Sequence, residues 1–213
     1  MLKETLLWSN EERVKHDYWV FLPDGYEHSS VDWPAIVYLH GGGANPPQVK
    51  KRIIPLTKLP AILLVPICPP LPAGVKEHYQ VWNEEILGSI VRHVLAEFRI
   101  DTKRCALAGF SSGGSAAWAL PFYHPDLFSK VAVISGSCHF WKLRFYPSIP
   151  VWAFSGANEE WLQHHKYTVD TATSFGIEVT HTIWPSLAHS ECRDRTLSYP
   201  PLIDWLLDNS LEP

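Results

Sequence analysis

The chain has 213 residues, enough for one folded domain and short for two. Hydrophobic side chains make up 46% and charged ones 19%, a balance that supports a real core and argues against a disordered chain. The formal charge of −4 is spread over interspersed acids and bases with no basic stripe, which excludes a phosphate-neutralising nucleic-acid surface, and no apolar run approaches the roughly 20 residues that span a bilayer.

In chain order, the opening stretch lacks the apolar centre of a secretory leader, so the expectation is a cytoplasmic protein. Residues 18–22 (YWVFL) read as the first strand. Residues 35–39 (AIVYL) read as the second and run into His40-Gly41-Gly42-Gly43. Residues 61–65 (AILLV) end at Pro66, within a proline-rich run over 66–72 that stiffens a loop. The spacing of Ile86, Ile90, Val94 and Leu95 predicts a helix over 83–98. A strand over 105–108 stops at Gly109, and a small, apolar helix follows over 112–122. Strands over 130–134, 151–154 and 179–184 run into Ser135-Gly136, Ser155-Gly156 and Pro185. An amphipathic helix covers 161–175, and a closing helix over 201–208 aligns Leu202, Trp205 and Leu206.

Most of these strands are continuous apolar runs, as expected of strands covered on both faces in a parallel sheet. Alternation of strand and helix predicts an α/β fold: a doubly wound, mostly parallel sheet with helices on both faces, one domain over 1–213, and no large lid domain. Such sheets bind ligands at the carboxyl ends of their strands, where the unusual glycines and histidines of this sequence fall. Cys68, Cys105, Cys138 and Cys192 form no CxxC, and Cys105 reads as a buried thiol, with one disulfide among the four left open. The eleven histidines are scattered without HExxH spacing, and the adjacent His164 and His165 read as a polar helix surface, so neither a metal nor a cofactor is expected.

The strongest motif is Gly109-Phe110-Ser111-Ser112-Gly113-Gly114, a GxSxG placed directly after a strand and before a helix. That context builds a nucleophile elbow, in which small neighbours let strand and helix approach and lift the central serine out of the sheet. Ser111 is the candidate nucleophile, and the backbone N–H of Ser112 a candidate oxyanion donor. The glycine run after the second strand can aim bare N–H groups at the same point. Gly42 is the first choice as second donor and Gly41 the next, with His40 holding the loop by a hydrogen bond. A serine hydroxyl needs a base. His189, late in the chain and after a strand, is that candidate; His139 is its main rival. The acid that orients the base is expected in Ser155-Gly156-Ala157-Asn158-Glu159-Glu160, with Glu159 preferred and Glu160 adjacent. Ser111, Glu159 and His189 then follow the nucleophile–acid–base order of the α/β-hydrolase elbow. His139 and Trp141, after a strand end, and Trp82 are candidates for the substrate wall, with Trp118 and Trp161 as further aromatics that could reach it.

These stretches resemble the α/β-hydrolase superfamily, and within it the compact branch of polyhydroxybutyrate-depolymerase-like esterases and predicted peptidases. The resemblance runs from about residue 34 to 207 and is carried by IVYLHGGG, LVPICPP, FRIDTKRCALAGFSSGGSAAWAL, HPDLFSKVAVISG, IPVWAFSGANEE and the segment around His189. It implies a lidless serine esterase. The sequence departs from the family pattern in three places: Ser155 stands where histidine is usual, Glu159 where the catalytic aspartate is, and Ala188 where glycine is common.

The expectation is therefore a carboxylesterase-like serine hydrolase that cleaves short-chain or aromatic esters through an acyl-enzyme. Its partner would be a small-molecule ester, with neither nucleic acid nor membrane. The alternatives are a thioesterase, lactonase or peptidase using the same site, or a non-catalytic ligand-binding homologue of the same fold. Nothing in the sequence specifies an oligomeric state.

Overall fold

The computed structural model describes residues 2–9, 12–68 and 82–208, with side chains from residue 17 onward. The part of the proline-rich run beyond Cys68 lies outside the described residues. Eight strands form one sheet in the order β1-β2-β4-β3-β5-β6-β7-β8. An antiparallel hairpin of β1 (Leu2–Ser9) and β2 (Glu12–Phe21) makes one edge, and β2 also runs antiparallel to β4 (Ile62–Pro66). All other pairings are parallel: β3 (Trp33–Leu39) with β4 and with β5 (Ile100–Phe110), then β6 (Lys130–Ile134), β7 (Val151–Gly156) and β8 (Val179–Trp184) in turn.

The continuous apolar runs serve two cores. Along β3, Val37 and Leu39 face one layer while Ile36 and Tyr38 face the other, as the period of two in a strand requires. The first layer is closed by α2 (Glu84–Glu97), α3 (Ser112–Tyr123) and α5 (Leu162–Ser174), through Ile90, Val94, Trp118, Leu120, Val169 and Ala172. The second is closed by α1 (Pro46–Arg52), α6 (His189–Leu197) and α7 (Pro200–Leu207), through Val49, Cys192, Leu197, Leu202, Trp205 and Leu206. A short α4 (Phe140–Leu143) follows β6. This is the α/β-hydrolase architecture expected from the sequence.

The strand order places the site. The chain leaves β3 toward β4 on one side, then crosses back to lay β5 on the other side of β3. Directions diverge between β3 and β5, and their paired ends, Leu39 opposite Gly109, open a crevice at the carboxyl edge. The His40–Gly43 run and the GxSxG motif both emerge there. Among the described residues, no helix is long and apolar enough to cross a membrane. Cys105, Cys138 and Cys192 are free thiols.

Candidate active site

Ser111 sits between β5 and α3 with φ 56° and ψ −119°, a left-handed conformation that a non-glycine residue adopts only under strain. Close packing enforces the bend. A Cβ on Gly109 would lie 2.1 Å from the Gly113 carbonyl oxygen, and one on Gly113 would lie 2.1 Å from that of Leu39. Any larger residue at either position would force strand and helix apart. The Ser111 N–H donates to the Ile134 carbonyl at 2.9 Å, tying the elbow to β6.

A hydrogen-bonded chain leads away from the hydroxyl. Ser111 Oγ lies 2.9 Å from His189 Nε2, and His189 Nδ1 lies 2.7 Å from Glu159 Oε2. The Glu159 carboxylate can only accept, so Nδ1 carries the proton and Nε2 is left to accept from the serine. Glu159 Oε1 accepts from the Ser135 hydroxyl at 2.7 Å and from the Gly156 N–H. Burial of the Glu159 side chain would push its carboxyl up, but the hydrogen bonds from His189, Ser135 and Gly156 outweigh this and hold it at about 2. The carboxylate is thus a fixed anion behind the imidazole.

Backbone bonds align acid and base. The loop after β7 is laced to the loop after β8: Ala157 N–H donates to the Trp184 carbonyl at 2.9 Å, and Asn158 N–H to the Leu187 carbonyl at 3.0 Å. Phe110 packs on the His189 ring with centroids 4.7 Å apart. His189 is the first residue of α6, a helix absent from the elements read in the sequence.

The glycine run lies across from the elbow. Gly42 and Ser112 both line a cavity of about 1150 Å³ that also holds Ser111 and His189. Ser112 opens α3, so its N–H belongs to a first turn that has no helical acceptors. Gly41 is not part of the cavity lining; a Cβ there would meet the Phe110 ring at 2.9 Å. His40, buried, donates from Nδ1 to the Gly41 carbonyl at 2.9 Å and accepts at Nε2 from the Cys68 N–H at 3.1 Å. That second bond needs the neutral ring, and burial lowers the His40 pKa accordingly.

Of the proposed wall residues, Trp82 and His139 line the cavity, as does Trp161. Glu160 does too, but its carboxylate is not the one that meets His189. Trp141 is not brought in: it is 58% exposed and packs edge-on against Phe122. Trp118 is fully buried in the core.

His165 corrects the surface reading of the His164–His165 pair. It is buried against the site, with Nδ1 3.9 Å from Glu159 Oε2 and 3.3 Å from Ser155 Oγ; that hydroxyl in turn lies 3.1 Å from His181 Nε2. Burial pulls His165 down to about 4. The signal was present in the sequence, since residues 165, 168, 169 and 172 share one helical face with apolar Val169 and Ala172. Among the described residues, no group of three or more His, Cys, Asp or Glu side chains is placed to hold a metal.

Residues 71–177 match the Esterase family model, described as "Putative esterase". The chain is 25% identical, over 97% of its length, to a non-reducing polyketide synthase of Preussia isomera, of whose length it spans only 9%. Among solved structures it is similar to a thermostable esterase, with TM-score 0.79 and 21% identity over 96% of this chain and 62% of that one. It is also similar to an S-formylglutathione hydrolase of Staphylococcus aureus, with TM-score 0.75 and 14% identity over 98% of this chain and 100% of the other. The elbow, the doubly wound sheet and a family match over half its length agree: this chain belongs to the Esterase family and has the α/β-hydrolase fold.

Proposed function

We propose that the protein is a serine carboxylic-ester hydrolase in which Ser111 is the nucleophile, His189 the general base and Glu159 the acid that orients it. The observation carrying this reading is the unbroken chain from Ser111 Oγ through His189 to the buried Glu159 carboxylate, with spans of 2.9 and 2.7 Å. Ser111 Oγ attacks the ester carbonyl as its proton passes to His189 Nε2, and the imidazolium is stabilised by Glu159. The oxyanion develops toward the N–H groups of Ser112 and Gly42; losing one such donor removes about 3 kcal/mol of transition-state stabilisation. The C–O bond to the alcohol breaks as His189 returns the proton to the leaving oxygen. Water, deprotonated by the same imidazole, then releases the acid and regenerates the serine.

The test is labelling by a fluorophosphonate probe read by intact mass, together with p-nitrophenyl acetate turnover. One adduct is expected in the unmodified protein and none in Ser111→Ala, whose turnover falls to background while the thermal midpoint is retained. Unchanged turnover in Ser111→Ala overturns the assignment. A thioester is the second reading, favoured by the name of the S-formylglutathione hydrolase neighbour; the same machinery would cleave it, and matched oxygen and sulfur esters of one acid separate the two.

A further inference from the structure

The cavity continues well past the serine. Ser112, Ser115, Ala116 and Ala119 all line it, at the i, i+3, i+4 and i+7 spacing of one helical face. From Ser111 to Ala119 the helix rises about 12 Å, which sets the length of the channel it floors. Serine and alanine leave room there for a thin substrate limb.

The far end of this channel is polar. Lys142 of α4 and Glu84, the first residue of α2, both line the cavity, with Nζ and Oε1 3.3 Å apart and side chains only 10% and 27% exposed. Two contacts fix them beside the end of α3: Lys142 Nζ lies 4.7 Å from the centre of the Tyr123 ring, and His124 Nε2 donates to the Glu84 carbonyl at 3.0 Å. Neither side chain takes part in the Ser111–His189–Glu159 chain.

An ion pair is a poor lining for an alkyl group, which would strip water from both charges and replace none of it. An anionic group meets Glu84, and a cationic group meets Lys142, so either is opposed by one member of the pair. A hydroxyl suits both, since it donates to the carboxylate and accepts from the ammonium, which has three donors to share. We propose that Lys142 and Glu84 form a recognition subsite for a hydroxyl group at the far end of the ester-substrate limb that lies along α3. The proposal rests on the serine-esterase reading and deepens it; the two residues determine specificity and take no part in the chemistry.

The experiment compares kcat/KM for p-nitrophenyl esters of ω-hydroxyalkanoic acids with those of the matching alkanoic acids, in a length series reaching about ten carbons, the span of the channel. A second series places the hydroxyl on the alcohol side, as acetate monoesters of terminal diols, so that the two arms show which limb follows α3. A hydrogen bond to a charged group predicts a hydroxyl benefit of about tenfold or more, confined to the longer members of one series. Lys142→Met and, separately, the isosteric Glu84→Gln should each collapse the ratio of hydroxylated to plain ester. An enzyme that turns over p-nitrophenyl acetate but shows no hydroxyl benefit at any length overturns the subsite alone, as does a benefit that survives in both variants. A protein that hydrolyses none of these esters overturns the subsite together with the reading beneath it.

Discussion

Glu159 and Glu160 are neighbours in sequence with opposite surroundings. The Glu159 side chain is fully buried and its two oxygens meet His189, Ser135 and the Gly156 N–H, whereas Glu160 belongs to an exposed residue at the cavity rim. The extra methylene relative to aspartate is absorbed because Gly156 lets the carboxylate fold back on its own loop. Glu159→Gln preserves shape but removes the anion that favours the Nδ1–H tautomer and stabilises the imidazolium. It is expected to lower kcat on p-nitrophenyl acetate by about 100- to 10,000-fold, with KM little changed. Glu160→Gln is expected to stay within about twofold of the unmodified enzyme. Equal, small losses in the two variants would remove Glu159 from the mechanism.

At the scale of the elements, the strand–turn–helix from β5 to α3 is closely packed and is the part most legible in the sequence. Steric demand is written directly into residue type there, since Gly109 and Gly113 sit where a methyl group would collide with backbone oxygen. Gly113→Ala should therefore destabilise the fold by about 3 kcal/mol or more, seen as a lower urea midpoint with an unchanged slope. A variant as stable as the parent would mean the elbow has slack that these contacts deny. Other elements left weaker traces. α6 reads as a polar stretch, HSECRDRTL, because it buries only one side: Cys192, Thr196 and Leu197, with Arg193 laid over the Phe110 ring at 5.0 Å. β1 and α4 also escaped, α4 for being a single turn, and β2 was read only from residue 18 onward. His165 was missed for a different reason: a histidine beside a histidine suggests solvent, and only the neighbours one turn away, Thr168 and Val169, show that α5 turns it inward.

The whole molecule joins these parts through the divergence of connections between β3 and β5, which sets the glycine loop and the elbow side by side and buries polar groups close beneath them. That burial has a consequence for stability. His40, His165 and His181 are held neutral, their pKa values lowered from 6.5 mainly by burial, with His165 reaching about 4. The groups facing His165 divide in sign: Glu159 favours its charged form, while His189, His181 and His164 oppose it, and burial exceeds them all. Between about pH 4 and 6.5 the unfolded chain binds a proton at His165 that the folded one refuses, so its contribution is complete above about pH 6.5 and fades as pH falls toward 4, and His40 and His181 act in the same direction. Glu159 has its pKa lowered from 4.5 to about 2, so its contribution is complete above about 4.5 and fades only as pH falls further toward 2. The thermal midpoint should thus be level between about pH 7 and 8 and, as pH falls, decline in two stages, histidines first and Glu159 second. His165→Gln keeps a polar partner for Ser155 but cannot take up a proton in this range. It should flatten the decline between pH 6.5 and 4 while leaving the stage below 4.5 in place. A decline of equal steepness in that variant would show that the proton excluded by folding belongs elsewhere in the chain.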